Sequence, residues 1–321
     1  MGLESSFIWM NGDLVPFEKA NVHFLTSGLH YGLAVFEGIR CYDTNQGPAV
    51  FRMNEHVDRL LNSAKILGFR EVPWTASDIR DAIMLTISAN GFRQCYIRPL
   101  IYHTTPNPNL NIDVGQANLG IAVWEWSDYL GEEALESGIR MNVSSFTRHH
   151  PNVMMTKAKI SGNYANSVLA KTESARLGFD EAIMLDPQGY VAECTGENLF
   201  LVRGGKLYTP YTAEILEGIT RDSLITVAKD MGYEVLELPI SRDQLYIADE
   251  MFLTGTAAEC IAVTEVDFRT IGNGKMGPVT RAIQKTFHET VHGNGARSAE
   301  WLDPVGTPAT IPAKTNSMAE K

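Results

Sequence analysis

Four short segments of the chain carry side chains and backbone groups that could share one reaction centre. Lys159 stands just before a predicted helix, and Gly162 allows another backbone to approach it closely. Glu193 lies at the end of a predicted strand. Residues 217–222 are a predicted helix start with Gly and Thr at its N-terminus, and residues 253–258 are a second turn of this kind, from a strand to a helix. A lysine amine can form a Schiff base with a carbonyl compound, a buried carboxylate can hold a proton on a ring nitrogen, and free N–H groups at a helix N-terminus bind phosphate.

One ligand would use all of these groups at once. Pyridoxal 5′-phosphate (PLP) needs an amine for its aldehyde, a carboxylate for its pyridine nitrogen and N–H groups for its phosphate. Each signal also has an ordinary structural explanation, because a lysine near a glycine is commonly a surface residue and a threonine at a helix start is commonly a cap. The spacing is therefore compatible with a PLP site but does not require one.

Two other motifs match known patterns by their letters alone. Residues 272–277 spell GxGxxG, but the dinucleotide fingerprint needs a βαβ unit, and here Pro278 and a single last helix follow. We expect a glycine turn between a strand and that helix. His288 and His292 form an HExxH pair on one helix face, as zinc requires, but Gly293 ends the helix and little chain remains to build a substrate cleft. The alternative of a zinc hydrolase is therefore disfavoured, and we predict no metal site.

The elements that must position these groups follow from hydrophobic periodicity, caps and turn residues. In the first part, Asn11-Gly12 predicts a hairpin, Gly68 closes a helix that starts at Asn54, and Thr75 and Asp78 cap a second helix that ends near Gly91. Strands are predicted at 35–42, 49–53, 95–102 and 119–126. In the second part, strands are predicted at 140–146, 181–185, 190–192, 198–202 and 251–254, and helices at 161–178, 221–231 and 278–291.

This pattern predicts an α+β (mixed α/β) fold of two domains. We expect a small N-terminal α/β domain over residues 1–126, a linker over 127–136, a larger domain over 137–304 and a disordered tail over 305–321. The Pro- and Asn-rich stretch 103–109 has no periodicity and is expected to be a functional or interface loop.

Composition excludes several classes of protein. The chain has 321 residues, 44% of them hydrophobic and 20% charged, and a net charge of −11, which argues against nucleic acid or an anionic membrane as a partner. No apolar run reaches transmembrane length. The four cysteines are scattered and form no CxxC pair, as in reduced cytoplasmic proteins. We expect a cytoplasmic protein that handles small molecules.

Six segments together resemble a known family, the branched-chain aminotransferases of PLP fold type IV, a class IV aminotransferase group with the D-amino acid aminotransferase-like fold. The resemblance runs from about residue 7 to residue 304. The matching segments are HYGLAVFEGIRCY (30–42), YIRPL (96–100), AKISGNYANS (158–167), AECTGENLF (192–200), LEGITRD (216–222) and FLTGTAAE (252–259).

The resemblance implies a role for each of the following residues. Lys159 is similar to the lysine that binds PLP and moves the proton, Glu193 to the partner of the pyridine nitrogen, and Tyr164 to the partner of the ring oxygen. The implied phosphate site comprises Arg59, Gly218, Ile219, Thr220 and Thr256. Arg59 is assigned by resemblance only, since it lies off the apolar stripe of its helix.

Substrate roles are implied in the same way. The backbone of Thr256 and Ala257, with Tyr96, is similar to the site of the α-carboxylate, and Arg98 to the arginine that receives the distal carboxylate of glutamate. The implied apolar wall consists of Tyr31, Phe36, Trp126 and Tyr129, whose alternative explanation is strand packing.

The implied activity is ping-pong transamination between leucine, isoleucine or valine and 2-oxoglutarate, as in branched-chain amino-acid biosynthesis. The implied assembly is a homodimer or higher homo-oligomer in which the 103–109 loop reaches the partner's site. Ile160, Ser161, Cys194, Thr195 and the loop 103–109 depart from the family pattern and leave specificity open. A D-amino acid or (R)-amine transaminase, an aminodeoxychorismate lyase and a non-catalytic metabolite-binding protein remain alternatives.

Overall fold

The structure is a computed structural model that describes residues 5–105, 110–126 and 132–306. These residues form two large β-sheets, each packed against helices. The strands are, in chain order, β1 Phe7–Met10, β2 Asp13–Pro16, β3 Ala34–Phe36, β4 Ile39–Thr44, β5 Gly47–Phe51, β6 Cys95–Thr104, β7 Gln116–Trp124, β8 Ile139–Val143, β9 Glu181–Leu185, β10 Val191–Cys194, β11 Asn198–Arg203, β12 Lys206–Thr209, β13 Val235–Glu237, β14 Glu250–Gly255, β15 Glu259–Val266, β16 Arg269–Thr270 and β17 Leu302–Pro304. The helices are α1 Ser27–Tyr31, α2 Met53–Leu67, α3 Ala76–Asn90, α4 Glu132–Ser137, α5 Tyr164–Arg176, α6 Ile219–Asp230, α7 Arg242–Tyr246, α8 Pro278–Val291 and α9 Ser298–Trp301.

The first sheet has the strand order β17-β5-β4-β6-β7-β1-β2, and β3 also pairs with β6. All of these strands except β17 come from the first 124 residues. Helices α2 and α3 cover one face of the sheet, where Val57, Leu60 and Ile83 are buried against Ile97 and Ile121. The first sheet and its helices thus enclose a hydrophobic core, to which Ala158 and Ile160 of the lysine segment also contribute.

The second sheet has the order β10-β9-β8-β15-β14-β11-β12-β13, with β16 paired to β15. It mixes parallel pairs, such as β8 with β9, and antiparallel pairs, such as β14 with β15. Helices α6 and α8 bury their apolar faces against this sheet, with Leu224 and Ile283 packed near Phe252. The cluster also contains Tyr42 and Phe51 from the first sheet, so the two halves of the chain share packing.

Elements with strong local signals form as predicted. The β1–β2 hairpin turns at Asn11 and Gly12, both with positive φ. Helix α2 ends at Gly68 in the left-handed conformation, and a capping box between Thr75 and Asp78 begins α3. Each of these signals lies within a few residues of the element it defines, which explains why the sequence suffices.

Elements without such signals were not predicted. Strand β15, in the middle of the second sheet, directly follows the 256–258 turn, and the sequence has no signal that marks where the turn ends and the strand begins. Strands β12, β13 and β17 have only four, three and three residues, too few to show a period. Helix α4 begins inside the predicted 127–136 linker and ends one residue beyond it. Strand β17 pairs with β5 of the first sheet although it belongs to the predicted second domain. The domain boundaries themselves remain a prediction.

The two motifs that were set aside lie near the C-terminal helix. Residues 272–277 connect β16 to α8, with Gly277 as the cap and Pro278 in the first turn, so the predicted glycine turn is confirmed. The rings of His288 and His292 are in contact, with their centroids 4.1 Å apart and their planes tilted by 31°. In the described ranges, no three His, Cys, Asp or Glu side chains are grouped so as to hold a metal ion. None of the helices within those ranges is long and apolar enough to cross a membrane.

Candidate active site

Lys159 lies where the two sheets meet. Its backbone N–H donates to Ser63 Oγ on α2 at 3.0 Å, and its carbonyl accepts from the N–H of Phe36 on β3 at 3.0 Å. The helix that follows, α5, instead packs on the second sheet, where Ala170 is buried with Ala182. Elements from both halves therefore fix the position of the lysine.

The Lys159 amine faces aromatic and hydroxyl groups. Its Nζ lies 2.6 Å from Tyr164 Oη, and 5.1 Å from the ring centroids of both Phe36 and Tyr164. The close backbone approach predicted at Gly162 is present, and its partner is Gly32. A Cβ on Gly32, whose φ is +67°, would lie 2.7 Å from the Gly162 Cα, so Gly32 carries the stricter steric demand.

Glu193 forms a buried ion pair that the sequence did not predict. Glu193 Oε1 lies 2.8 Å from Nη2 of Arg148, and both side chains are less than a tenth exposed. Glu193 Oε2 accepts from the side-chain amide of Asn198 and from the backbone N–H of Leu216, each at 3.3 Å. Burial raises the pKa of Glu193 above its ordinary value, while Arg148 and the Leu216 N–H act in the opposite direction. Arg148 lies in the irregular segment after β8, where no periodicity marks it.

The N-terminus of α6 opens onto the same space. Gly218 caps the helix, and a Cβ there would lie 2.0 Å from Asn198 Oδ1, so only glycine fits this close approach. Ile219 and Thr220 form its first turn, where backbone N–H groups lack partners inside the helix. Thr256 follows the end of β14 and lines the same space. This arrangement can bind a phosphate group.

Arg59 reaches the same helix N-terminus from α2. Its Nη1 donates to the carbonyl of Glu217 at 2.7 Å, and the side chain is only 14% exposed. Its Nε and Nη2 donate to Glu37 at 2.6 and 2.9 Å. A position that the helical pattern would have placed on the surface is therefore buried at the junction of the two sheets.

These groups line one cleft that holds about 480 Å³ of space between the atoms, its open mouth included. Thr254 Oγ1, in its wall, is buried without a hydrogen-bond partner in the part of the chain that the structure describes. An amine, a buried carboxylate and a helix N-terminus thus surround one space, and the residues fit PLP. The lining residues are Arg59, Arg148, Lys159, Tyr164, Glu193, Thr195, Gly196, Glu197, Asn198, Leu216, Gly218, Ile219, Thr220, Thr254, Gly255 and Thr256.

Several residues with implied substrate roles lie beside this cleft. The Arg98 guanidinium lies 4.8 Å from the Phe36 ring centroid and 5.3 Å from that of Tyr96. Its Nε is buried and makes no hydrogen bond within the described ranges. Tyr96 stacks on Trp126 with centroids 4.6 Å apart, and Ala257 follows Thr256 in the turn after β14. A cation among aromatic rings can accept either an apolar chain or a carboxylate.

One implied substrate residue is not brought to the cleft in this chain. Tyr31, at the end of α1, is 43% exposed and does not line the cleft. Tyr129 lies outside the described residues, as do 106–109 of the predicted interface loop and 307–321 of the predicted tail.

Three of the departures from the family pattern have structural explanations. Ile160 is buried and bridges to Val35, which ties the lysine segment to β3. Cys194 is a buried free thiol, and Thr195 Oγ1 donates to the buried carboxylate of Glu181 at 2.6 Å. The substitutions therefore serve packing and a buried hydrogen bond.

Comparison with known proteins decides the family. The model of the family described as amino-transferase class IV matches residues 34–266 of this chain. The chain belongs to the class IV aminotransferases. The fold, the predicted family and the aminotransferase activity are thereby confirmed.

Relatives of this class IV aminotransferase share nearly its whole length. It is 46% identical over 294 residues to the branched-chain-amino-acid aminotransferase of Pseudomonas aeruginosa, covering 92% of this chain and 95% of that one. The crystal structure of a T.th. branched-chain amino acid aminotransferase with pyridoxamine 5′-phosphate superposes with a TM-score of 0.92 at 48% identity, covering 95% and 100% of the two chains. The same T.th. enzyme complexed with N-(5′-phosphopyridoxyl)-L-glutamate gives a TM-score of 0.89 at 46% identity, with the same coverage.

Proposed function

We propose that this class IV aminotransferase uses PLP to move the amino group between branched-chain L-amino acids and 2-oxoglutarate. The observation that carries the proposal is the shared cleft, in which the Lys159 amine, the Glu193 carboxylate and the N-terminus of α6 face one space. The relatives named branched-chain-amino-acid aminotransferases, at 46% identity, support the substrate class.

Lys159 is the catalytic residue in this proposal. PLP, when bound, supplies an aldehyde that accepts the amino group and a ring that withdraws electrons from the substrate Cα. The Lys159 amine would hold the cofactor and can act as the general base that moves the proton at the substrate Cα. Tyr164 Oη, 2.6 Å from Nζ, orients the amine and can donate to an oxygen on the ring.

Glu193 and the helix N-terminus would hold the two ends of the cofactor. A carboxylate keeps a ring nitrogen protonated only if it stays ionised beside it. Burial disfavours that ionised form, and Arg148, 2.8 Å away, partly offsets the effect of burial. Gly218, Ile219, Thr220, Thr256 and Arg59 would bind the phosphate through backbone and side-chain donors.

One pocket must serve two kinds of substrate, because both half-reactions use the same amine. Phe36 and Tyr96 offer apolar surface to a branched side chain, while Arg98 between them offers its guanidinium to the distal carboxylate of glutamate. The turn at Thr256 and Ala257 is the proposed site of the α-carboxylate that all of these substrates share.

We also propose that the working unit is at least a homodimer. Exposed apolar side chains occur in the N-terminal segment that contains Tyr31, where Phe24 is 73% and Leu29 62% exposed. Leu110, which follows β6 in the chain, is 81% exposed. Surfaces of this kind commonly mark an interface. In a dimer, Tyr31 would complete the apolar wall of the partner's pocket. Sedimentation of the wild-type chain and of Leu29→Glu tests this, and a monomeric, fully active wild type would refute it.

The test of the function compares three donors. Purified protein is incubated with L-leucine, D-alanine or (R)-1-phenylethylamine, each with 2-oxoglutarate, and glutamate formation is followed. We expect turnover with L-leucine, and failure on it with turnover of another donor would refute the substrate class. Lys159→Ala should abolish both the visible absorbance of bound PLP and the turnover, whereas the exposed-lysine control Lys65→Ala should change neither.

A further inference from the structure

The arginine proposed for the phosphate site is itself paired with a buried carboxylate. Glu37 lies between β3 and β4, and its side chain is fully buried. Its oxygens accept from Arg59 Nε at 2.6 Å and Nη2 at 2.9 Å, and from the Gly38 N–H at 3.2 Å. His56 Nδ1 lies 2.7 Å from the same carboxylate.

This carboxylate is ionised although it lies beside a proposed phosphate site. Burial opposes its ionisation, but Arg59 and His56 outweigh burial and hold the pKa of Glu37 well below its ordinary value. A negative charge here repels a phosphate and weakens the electrostatic attraction of Arg59. Glu37 must therefore contribute something other than charge attraction.

The geometry indicates what that contribution is. His56 and Arg59 are three residues apart on α2, so they share a helix face and both reach Glu37. On its other side, Arg59 donates through Nη1 to the Glu217 carbonyl, which directly precedes the Gly218 cap. A guanidinium has five N–H donors, and these three contacts leave two of them, one on each terminal nitrogen.

We propose that Glu37 is a positioning residue for cofactor phosphate binding. Together with His56, it locks the Arg59 guanidinium so that its two remaining N–H groups face the phosphate at the N-terminus of α6. The repulsion between the Glu37 carboxylate and the phosphate is offset, because an Arg59 guanidinium that is already held in place loses little conformational freedom when the phosphate binds. This inference rests on the proposed function, in which Arg59 contacts the phosphate of PLP.

The test compares PLP with pyridoxal, which has the same ring and aldehyde but no phosphate. Each is titrated into the full-length chain freed of cofactor, and binding is followed by absorbance. We expect Glu37→Gln to weaken PLP binding by about tenfold or more and to leave pyridoxal binding nearly unchanged. The matched control is Asp43→Asn, because Asp43 also holds an arginine, Arg93, through two hydrogen bonds (2.9 and 2.6 Å) but at an exposed position. It should change neither affinity.

A double-mutant cycle shows whether Glu37 acts through the arginine. In an Arg59→Met background, Glu37→Gln should cause little further loss of PLP affinity. If Glu37→Gln does not fold, His56→Gln, which removes one support of Glu37, provides the same comparison and should also weaken PLP selectively.

Three results would overturn the inference. Equal loss of PLP and pyridoxal would mean a general structural role, tighter PLP binding would mean that Glu37 only repels the phosphate, and no change would mean that it plays no part. A wild-type chain that binds no PLP, or that keeps its PLP absorbance after Lys159→Ala, would refute the proposed function instead.

Discussion

The buried ion pair between Glu193 and Arg148 allows a pH-resolved test of the site. Replacing Arg148 with methionine removes the cation but keeps an apolar side chain of similar length. Among the residues that the structure describes, Glu193 then retains the two 3.3 Å hydrogen bonds from Asn198 and Leu216. Removing one partner of a buried pair costs about 3–5 kcal/mol, because the other charge stays buried without compensation. That is a large part of a typical free energy of unfolding of about 5–15 kcal/mol.

The destabilisation must depend on pH in a defined direction. Burial already raises the pKa of Glu193, and Arg148 opposes that shift, so Arg148→Met raises the pKa further. A carboxyl group whose pKa is higher in the folded than in the unfolded state stabilises the fold at low pH and loses that contribution as the pH rises through its folded-state pKa. The variant should therefore be close to wild type in mildly acidic buffer and reach the full loss in alkaline buffer.

Urea unfolding of both chains, followed by far-ultraviolet circular dichroism in buffers from about pH 5 to about pH 9, measures this difference. Arg140→Met is the control, because its 2.7 Å pair with Glu265 is 45% and 27% exposed and should contribute less than about 1 kcal/mol at any pH. A loss in Arg148→Met that is constant across this range, or no larger than that of the control, would refute the assigned role of the pair.

Three further changes test other parts of the site. Gly32→Ala should cost about 1–3 kcal/mol of unfolding free energy and lower the PLP content, because it combines a φ of +67° with the 2.7 Å clash. The control Gly91→Ala, with a φ of +70° and open space around it, should leave the PLP content unchanged. Burial and a neighbouring carboxylate raise the pKa of Glu197 to about 8. As the pH rises from about 5 to about 8, the free energy of unfolding of Glu197→Gln should therefore increase relative to that of wild type by about 1 kcal/mol or more. Parallel pH curves of the two chains in urea unfolding would contradict this. Arg98→Met should raise the KM for 2-oxoglutarate by about tenfold or more and the KM for leucine much less; equal effects in steady-state kinetics would remove Arg98 from carboxylate recognition.

Local signals in the sequence predicted the elements that carry the site, but not the contacts that tune it. Helix α2 followed from its apolar spacing and the glycine at its end, yet that same spacing placed Arg59 on the surface. What buries Arg59 is Glu37, more than twenty residues away, together with a carbonyl from the second half of the chain. No periodicity within one helix contains information about such partners. Arg148 escaped prediction for a related reason, since it lies in an irregular segment and meets Glu193 only in the folded chain.

The same contacts show that neither of the two predicted domains contains the whole site. Glu193 and the N-terminus of α6 belong to the predicted large domain, but the Lys159 backbone is held by Ser63 of α2 and Phe36 of β3. The cleft also needs Arg59, which lies within residues 1–126. The reactive amine and the phosphate site are thus positioned relative to each other by residues of both predicted domains. A substitution that loosens the packing between them should therefore weaken cofactor binding even when it leaves every residue of the cleft unchanged.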